Sequence, residues 1–147
     1  MPGVPWTLGQ LCDQLSRLGV QAGDRLMVHA SLCRLQPIDG GAATLIAAID
    51  AAVGSSGGWI MTLGADDDWA WVNERPEATR EALLADAPVF DCNTAPAEPS
   101  VGKLAELIRM TPGTVVSDHP EGRFGARGAG AVGWMARHLA GPGHGRS

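Results

Sequence analysis

The sequence predicts an α/β fold in which a layered, mostly parallel or mixed sheet is flanked by helices. Three observations support this fold class. Segments 25–30 and 57–63 have the apolar composition of buried strands, an alanine-rich helical segment at 40–54 connects them, and an amphipathic segment at 7–19 precedes them. A strand, helix, strand order favours a parallel pair joined by a right-handed crossover.

The amphipathic segment carries a helix start and a helix stop. Thr7 and Gln10 occupy the two positions of a capping box, and Gly19 is a typical stop residue. We therefore predict a helix here, with four leucines on one face: Leu8, Leu11, Leu15 and Leu18.

Short stretches of sequence also predict the two strands and the helix between them. Leu26, Met27 and Val28 dominate the first strand, which follows the turn QAGD. The alanine-rich helix is closed by Gly54, and the segment GGWIMTL forms the second buried strand.

The second half of the chain is less regular. Residues 76–90 indicate a short amphipathic helix, 91–99 a loop, and 100–113 a helix capped by Ser100 and ended by Pro112 and Gly113. Residues 114–120 resemble a strand that leads into a His-Pro turn. The glycine-rich residues 122–133 precede a last helix at about 131–139, so we expect one α/β domain over 1–140 and a flexible tail at 141–147.

Composition limits the possible functions. A chain of 147 residues with 45% hydrophobic residues has the size of one domain with one core. Its net charge of -5 leaves no basic face for nucleic acid. The acidic balance would suit a cationic small molecule, and it equally suits ordinary solubility.

The cysteines and the apolar segments point to a cytoplasmic protein without a metal site. Cys12, Cys33 and Cys92 are widely spaced, which supports neither a disulfide framework nor a zinc site. The first residues lack the features of a signal peptide, and no segment is long and apolar enough to span a membrane.

The glycine-rich segment contains a GxGxxG match at Gly128, Gly130 and Gly133. In a dinucleotide-binding unit this motif follows the first strand and precedes an acidic residue by about 20 positions. No such residue follows here, so a nucleotide-binding module is the least favoured of the functions considered.

Two polar segments follow the predicted strands. Residues 29–33 follow the first strand, where ligand sites of open α/β sheets gather, and the helix that begins near Gly41 offers backbone N–H groups to a phosphate or a thioester carbonyl. Asp66, Asp67 and Asp68 follow the second strand beside an indole and can attract an ammonium group. The alternatives are a strand that has simply reached the surface and a solvated acidic loop.

Several segments together resemble the aminoglycoside 3-N-acetyltransferase (antibiotic N-acetyltransferase) family. The segment LGVQAGDRLMVHASLCRLQPIDGG is similar to the family pattern LGVxxGDxLxVHSSLSxLGxVxGG, and DAPVFD, VGKLAELIR and PGTVVSDHP are similar to three later family segments. These segments occur in the family's order across residues 18–128. The resemblance implies the amino-terminal half of the family's α/β fold.

The resemblance also implies a reaction and a set of site residues. The reaction is transfer of an acetyl group from acetyl-CoA to an amine of an aminoglycoside antibiotic. Asp67 and Asp68 align with an acidic pair that faces the substrate, and Ser117 lies in a turn beside the coenzyme A groove. The groove itself would include the residues aligned with the family's H-S-S-L-S loop: His29, Ala30, Ser31, Leu32 and Cys33.

The chain departs from the family pattern at several positions. Ala30 and Cys33 replace serines, Gln36 replaces a glycine, and Arg123 and Arg127 stand where small side chains are expected. The family is about twice as long, and its histidine base is expected beyond Ser147. Because a missing base typically costs a factor of about 10²–10⁴ in rate, we expect this chain alone to be weakly active or inactive.

Two interpretations remain for the chemistry within the chain. His119 is the candidate catalytic base, with Asp118 or Glu106 to orient it, although a structural His-Pro turn is the alternative. A Cys33 thiolate paired with His29 is a second idea, against inert packing of that cysteine.

Three functions follow: an acetyltransferase, a truncated member that binds coenzyme A or a complementary chain without catalysis, and the nucleotide-binding module. A half-fold would expose a sheet edge and apolar faces, so we expect a homo-oligomer or a partner chain.

Overall fold

The computed structural model describes residues 3–35, 37–66 and 68–140. Short 3-10 helices lie in the connections, at Leu32–Arg34, Ala70–Glu74 and Pro99–Val101. The α-helices and strands occur in this order: α1 (Leu8–Arg17), β1 (Arg25–Met27), α2 (Ala42–Val53), β2 (Gly58–Thr62), α3 (Glu77–Leu84), α4 (Lys103–Met110), β3 (Val115–Val116), β4 (Phe124–Gly128) and α5 (Ala131–Ala140).

The strands form one mixed sheet in the order β1-β2-β4-β3. β1 pairs in parallel with β2, where Met27 lies opposite Ile60. β4 runs antiparallel to both of its neighbours, with Phe124 opposite Thr62 on β2. The predicted α/β class with a mixed sheet and flanking helices is therefore confirmed, and so is the parallel pair that α2 connects.

The main core lies between the sheet and the helices α2 and α4. Strand β2 alternates across the sheet, with Trp59 and Met61 in this core and Ile60 packed against the smaller cluster beneath α5. Full burial of each large apolar side chain stabilises the fold by about 1.5–3 kcal/mol. The buried members of the main core are Leu45, Ile46, Ile49, Val53, Trp59, Met61, Leu63, Ala97, Leu104, Ala105 and Ile108.

Helix α1 follows the prediction at its start and departs from it at its end. The Thr7 hydroxyl accepts a hydrogen bond from Gln10 N, and the Gln10 side chain accepts one from Thr7 N, so the capping box is confirmed. Leu11 and Leu15 pack against the core. Leu8 and Leu18 are 45% and 81% exposed because they lie at the first residue of the helix and beyond its last one.

The helix α4 begins later than the sequence indicated. Its N-cap is Gly102, with a φ of 97°, and Ser100 lies in the preceding 3-10 helix. The prediction that Ser100 caps this helix is therefore wrong. The side chain of Glu98 accepts a hydrogen bond from Ser100 N instead, at 3.0 Å.

Strand β4 lies within the glycine-rich segment, where composition alone indicated only a lead into the last helix. Arg127 on this strand is accommodated because Asp50 of α2 neutralises it, with 2.7 Å between Arg127 Nη2 and Asp50 Oδ2. Asp50 also accepts a hydrogen bond from Trp59 Nε1 at 2.8 Å. One of the two unexpected arginines therefore ties β4 to α2.

Packing accounts for two glycines of the GxGxxG match. Gly128 has a φ of 90°, and a Cβ there would lie 2.5 Å from the carbonyl oxygen of Gly57. A Cβ on Gly130 would lie 3.0 Å from the ring of Trp134. These glycines allow β4 and α5 to approach their neighbours closely. Packing therefore explains the two glycines without a nucleotide-binding site.

Within the part of the chain that the structure describes, no helix combines the length and apolar character required to cross a bilayer. The single-domain boundary at residue 140 and the cytoplasmic location stay predictions, and the predicted tail at 141–147 lies outside the described residues.

Candidate functional site

A cleft of about 600 Å³ opens where β1 and β2 end, and we call it the strand-end cleft. Val28 N donates to Ile60 O at 2.9 Å, so the strand pairing continues one residue beyond β1 before the chain turns away. The lining residues come from the loop after β1, from β2 and from the 3-10 helix before α4: His29, Ala30, Ser31, Arg34, Leu35, Met61, Thr62 and Val101.

The lining of the strand-end cleft combines polar and apolar side chains. His29, Ser31 and the cation of Arg34 can bind an anionic group by charge and hydrogen bonding. Met61 and Val101 can contact an aliphatic chain. The sequence analysis predicted His29, Ala30 and Ser31 as residues of a binding groove, and they line this cleft. It missed Arg34. The positive charge of Arg34, one residue after the predicted loop, could have indicated it.

The other two members of the predicted loop lie elsewhere. Leu32 packs against the main core and lines a smaller cavity of about 290 Å³ beside Ile38 and Gly41. Cys33 is exposed, and the lining of the strand-end cleft does not include it. Gln36 lies outside the described residues.

A second cleft of about 350 Å³, which we call the acidic cleft, lies beyond β2. Asp66 and Asp68 line it together with Asp91, which is 25 positions farther along the chain than Asp66. Asp67 lies outside the described residues. The full lining is Asp66, Asp68, Trp69, Leu84, Ala87, Pro88, Val89, Phe90, Asp91, Thr94, Ala95 and Pro120.

The acidic cleft has the chemistry of an amine-binding site. Its carboxylates attract ammonium groups, and the aromatic faces of Trp69 and Phe90 add a favourable quadrupole. The ring of Trp69 stacks on Trp71 at 6.0 Å between centroids, which fixes its orientation. Sequence reasoning missed Asp91 as a site residue, although the similarity of DAPVFD to a family segment pointed to that position.

One wall of the acidic cleft is an irregular loop that α4 holds in place. Glu106 accepts a hydrogen bond from Ala97 N at 2.7 Å and pairs with Arg109, whose Nη1 donates to Asn93 O at 3.2 Å. The Arg109 guanidinium lowers the pKa of Glu106 from 4.5 to about 2, against the opposing effect of burial. Glu106 is therefore ionised and committed to this loop at neutral pH.

Ser117 does not lie on either cleft. Its side chain is 1% exposed, and its hydroxyl accepts a hydrogen bond from Phe124 N at 2.8 Å and donates to Gly122 O at 3.4 Å. Both hydrogen bonds close the turn between β3 and β4. The buried hydroxyl is thus committed to this turn, and the predicted place of Ser117 beside a coenzyme A groove stays a prediction.

His119 forms hydrogen bonds that fit the structural turn. Its Nδ1 accepts from Glu121 N at 3.2 Å and from Gly122 N at 3.1 Å, so the lone pair of that atom is already used. The ring also lies edge-on to His138, at 5.5 Å between centroids. Pro120 lines the acidic cleft, whereas His119 does not. The catalytic role stays a prediction.

The carboxylates proposed to orient His119 lie elsewhere. Both oxygens of Glu106 bind Arg109, and one also binds Ala97 N. Burial and the nearby Asp118 carboxylate raise the pKa of the Cys92 thiol, which places Asp118 beside that cysteine. Within the described residues, neither carboxylate forms a hydrogen bond with His119.

The thiol interpretation gains no support from the geometry. Cys33 and His29 are both exposed, and no hydrogen bond joins them in the described part of the chain. A nucleophilic cysteine needs an adjacent base or cation, and this pair does not provide one.

Comparisons with known proteins agree with this architecture. A family model described as aminoglycoside 3-N-acetyltransferase matches residues 27–147. Aminoglycoside N(3)-acetyltransferase VIII from Streptomyces fradiae is 37% identical over 137 residues, which are 92% of this chain and 48% of that relative. The chain spans about half the length of the curated relatives it matches.

Solved structures with the same fold include ligand complexes. Sisomicin-bound AAC-VIa superposes with a TM-score of 0.79 at 33% identity, covering 92% of this chain and 51% of that chain. AAC-IIIb in a binary complex with CoASH superposes with a TM-score of 0.77 at 32% identity, covering 92% and 50%. This coverage agrees with the predicted half of the family's fold.

Proposed function

Because the chain belongs to the aminoglycoside 3-N-acetyltransferase family, we propose that it takes part in transfer of an acetyl group from acetyl-CoA to an amine of an aminoglycoside. The strand-end cleft binds the coenzyme A moiety, and the acidic cleft binds the polycationic amine. Solved relatives hold these two ligand classes: CoASH in AAC-IIIb and sisomicin in AAC-VIa.

One observation carries this proposal: two clefts of different charge open close together along the chain, one at the end of β2 and one just beyond it. Thr62 lines the strand-end cleft, and Asp66, four residues later, lines the acidic cleft. A cation and a hydroxyl suit the phosphates of coenzyme A, and a set of carboxylates suits ammonium groups. The two substrates, which must react with one another, would thus bind to clefts that neighbouring segments of one chain line.

The residues of the strand-end cleft fit a coenzyme A moiety by their chemistry. Arg34 and Ser31 would bind phosphate or carbonyl oxygens, and Met61 and Val101 would contact the aliphatic arm. Acetyl-CoA supplies the acetyl thioester when it is bound. The chain's own part is to hold that substrate and to exclude water from it.

The first experiment measures coenzyme A binding by calorimetry. Ser31→Trp places an indole in the strand-end cleft where a coenzyme A moiety would lie, so we expect it to abolish binding of coenzyme A. Ser16→Trp, on the exposed face of α1, is the matched control and should bind like the unaltered chain. Unchanged affinity in Ser31→Trp would move the coenzyme A site away from this cleft.

A second candidate function is ligand binding without catalysis. The chain would bind coenzyme A alone or associate with a complementary chain. Acetyl transfer requires a base to remove a proton from the ammonium group, and within the described lining of the acidic cleft there is no histidine. The lone pair on Nδ1 of His119 is used by the turn. This arrangement favours ligand binding with little catalysis by this chain alone.

Thiol release from acetyl-CoA separates the two candidates. We expect little or no release with several aminoglycosides, and restored release when a carboxy-terminal half of a family member is added. Strong turnover by this chain that disappears in His119→Ala would instead make His119 the base. Turnover that persists in His119→Ala would assign the base elsewhere.

A homo-oligomer or a complementary chain remains part of the proposal. Its support is the edge strand β1, where Met27 is 53% exposed beside an apolar cavity that Ile60 and Trp134 line. Exposed strand edges and apolar patches favour association. Sedimentation of the purified chain should give a dimer or a larger species, and a monomer at high concentration would argue against association.

A further inference from the structure

Arg123 is a buried cation immediately before strand β4. Only 2% of the residue is exposed. Its carbonyl oxygen accepts a hydrogen bond from Leu63 N at 2.8 Å, and the next residue, Phe124, donates through its N–H to Ser117 Oγ at 2.8 Å. The backbone of Arg123 is thus fixed between the segment that follows β2 and the turn that follows β3.

The guanidinium group of Arg123 reaches from this rigid base into the irregular loop. Nη1 donates to Pro96 O and Nη2 donates to Ala95 O, each at 2.7 Å. The Cζ atom lies 5.5 Å from the centroid of the Phe90 ring. Three residues of one loop, Phe90, Ala95 and Pro96, therefore contact a single planar group.

Two of the three contacted residues belong to the wall of the acidic cleft. Phe90 and Ala95 line that cleft, and Asp91 lies between them in the chain. Helix α4 holds the same loop through Asn93 O and Ala97 N. Arg123 is the corresponding support from the sheet, and it acts on the residues that flank the Asp91 carboxylate.

Stability alone is a poor explanation for this arginine. Nε of Arg123 is buried and has no hydrogen-bond partner among the residues that the structure describes. Burial lowers the pKa of the guanidinium, although the Asp66 and Glu106 carboxylates oppose that effect. A buried charge is expensive to desolvate, and an apolar side chain of similar volume is often equally stable. What an apolar side chain cannot do is hold two carbonyl oxygens and one aromatic ring in a fixed arrangement.

We infer that Arg123 is a positioning residue of the acidic cleft, which fixes the loop that carries Phe90 and Asp91 and thereby sets the affinity of the cleft for polycationic amines. The ligand class in this inference rests on the proposed function. The support of the loop rests on the contacts of Arg123 alone.

The test uses two variants, one of the residue immediately before β4 and one of a residue on β4. Arg123→Lys keeps the positive charge and removes the planar group, so it changes the geometry of the support without changing the net charge. Arg127→Lys is the matched control, because Arg127 is a paired arginine on β4 whose partner is Asp50 and which lies outside the acidic cleft. Both variants are compared with the unaltered chain well below their unfolding temperatures.

The first readout is amide hydrogen exchange along the chain. We expect Arg123→Lys to raise exchange selectively in residues 91–97, with α1 and α2 unchanged. Arg127→Lys should leave residues 91–97 at their original rates. A uniform rise throughout the chain in Arg123→Lys, or no rise in this segment, would overturn the positioning role.

The second readout is calorimetric binding of sisomicin. We expect Arg123→Lys to weaken binding by about tenfold, the typical effect of losing a hydrogen bond to a charged group, and Arg127→Lys to bind like the unaltered chain. Equal affinity in Arg123→Lys and the unaltered chain would overturn the effect on the cleft. If the unaltered chain does not bind sisomicin, the proposed amine site fails, and hydrogen exchange still decides whether Arg123 positions the loop.

Discussion

The two clefts are built in different ways. The strand-end cleft lies at the end of hydrogen-bonded strands, so the backbone pairing of β1 with β2 fixes most of its shape. The acidic cleft lies outside the sheet, and side chains from α4 and from Arg123, the residue before β4, hold its irregular wall. Backbone pairing is shared among many hydrogen bonds, whereas a side-chain support depends on one residue. The acidic cleft should therefore be the more sensitive to single substitutions in its supports.

The largest effect is expected from Leu63→Ala, which should weaken both clefts together. Leu63 is 1% exposed in the main core and follows β2, between the parts of the chain that line the two clefts. We expect a loss of about 2–5 kcal/mol in the free energy of unfolding, measured in denaturant. After correction for the folded fraction, the affinities for coenzyme A and sisomicin should change by the same factor, and a selective loss of one would contradict a shared core.

The next effect is a pH dependence that should act on the acidic cleft alone. The pKa of Glu106 is lowered to about 2 in the fold, so its stabilising contribution is complete above its ordinary value of 4.5 and is lost as the pH falls from there towards 2. Because 33% of the Glu106 side chain is exposed, solvent screening limits this contribution to about 1–2 kcal/mol.

Thermal unfolding at several pH values tests this contribution. Between about pH 6 and pH 3, Glu106→Gln should lose less stability than the unaltered chain. Glu81→Gln, on the exposed surface of α3, is the control and should follow the unaltered chain. Parallel curves for Glu106→Gln and the unaltered chain would mean that this carboxylate does not hold the loop.

A smaller effect is expected from Asp68→Asn, which changes the charge of the acidic cleft without touching its supports. Asp68 is exposed, so its loss should weaken sisomicin binding by about threefold to fivefold and reduce its salt dependence. Coenzyme A affinity should not change. Asp13→Asn on α1 is the charge-matched control, and an equal effect from both variants would indicate net charge instead of a local site.

The smallest effect is expected from Thr7→Ala, which removes the capping box of α1. Helix α1 lines neither cleft, so the expected loss is about 0.5–1 kcal/mol of unfolding free energy. Both ligand affinities should stay the same in calorimetry. A change in either affinity would show that α1 affects a cleft through α2, on which it packs.

Local signals in the sequence determined the regular half of this protein. The Thr7 and Gln10 capping box and the Gly54 end of α2 depend on residues close together in the chain, and both are confirmed. The parallel pairing of β1 with β2, also confirmed, follows from the order strand, helix, strand. The loop at His29 and Ser31 follows from the same logic, because the chain must leave the sheet where β1 ends.

Only the tertiary structure decided the acidic cleft and its supports. The approach of Asp91 to Asp66, the burial of Arg123 and the inward orientation of Ser117 all depend on contacts between distant segments. Side-chain type does not specify such contacts, because an arginine or a serine satisfies its hydrogen bonds equally well in water. They form only when the sheet brings β4 beside β2 and excludes water from the groups between them.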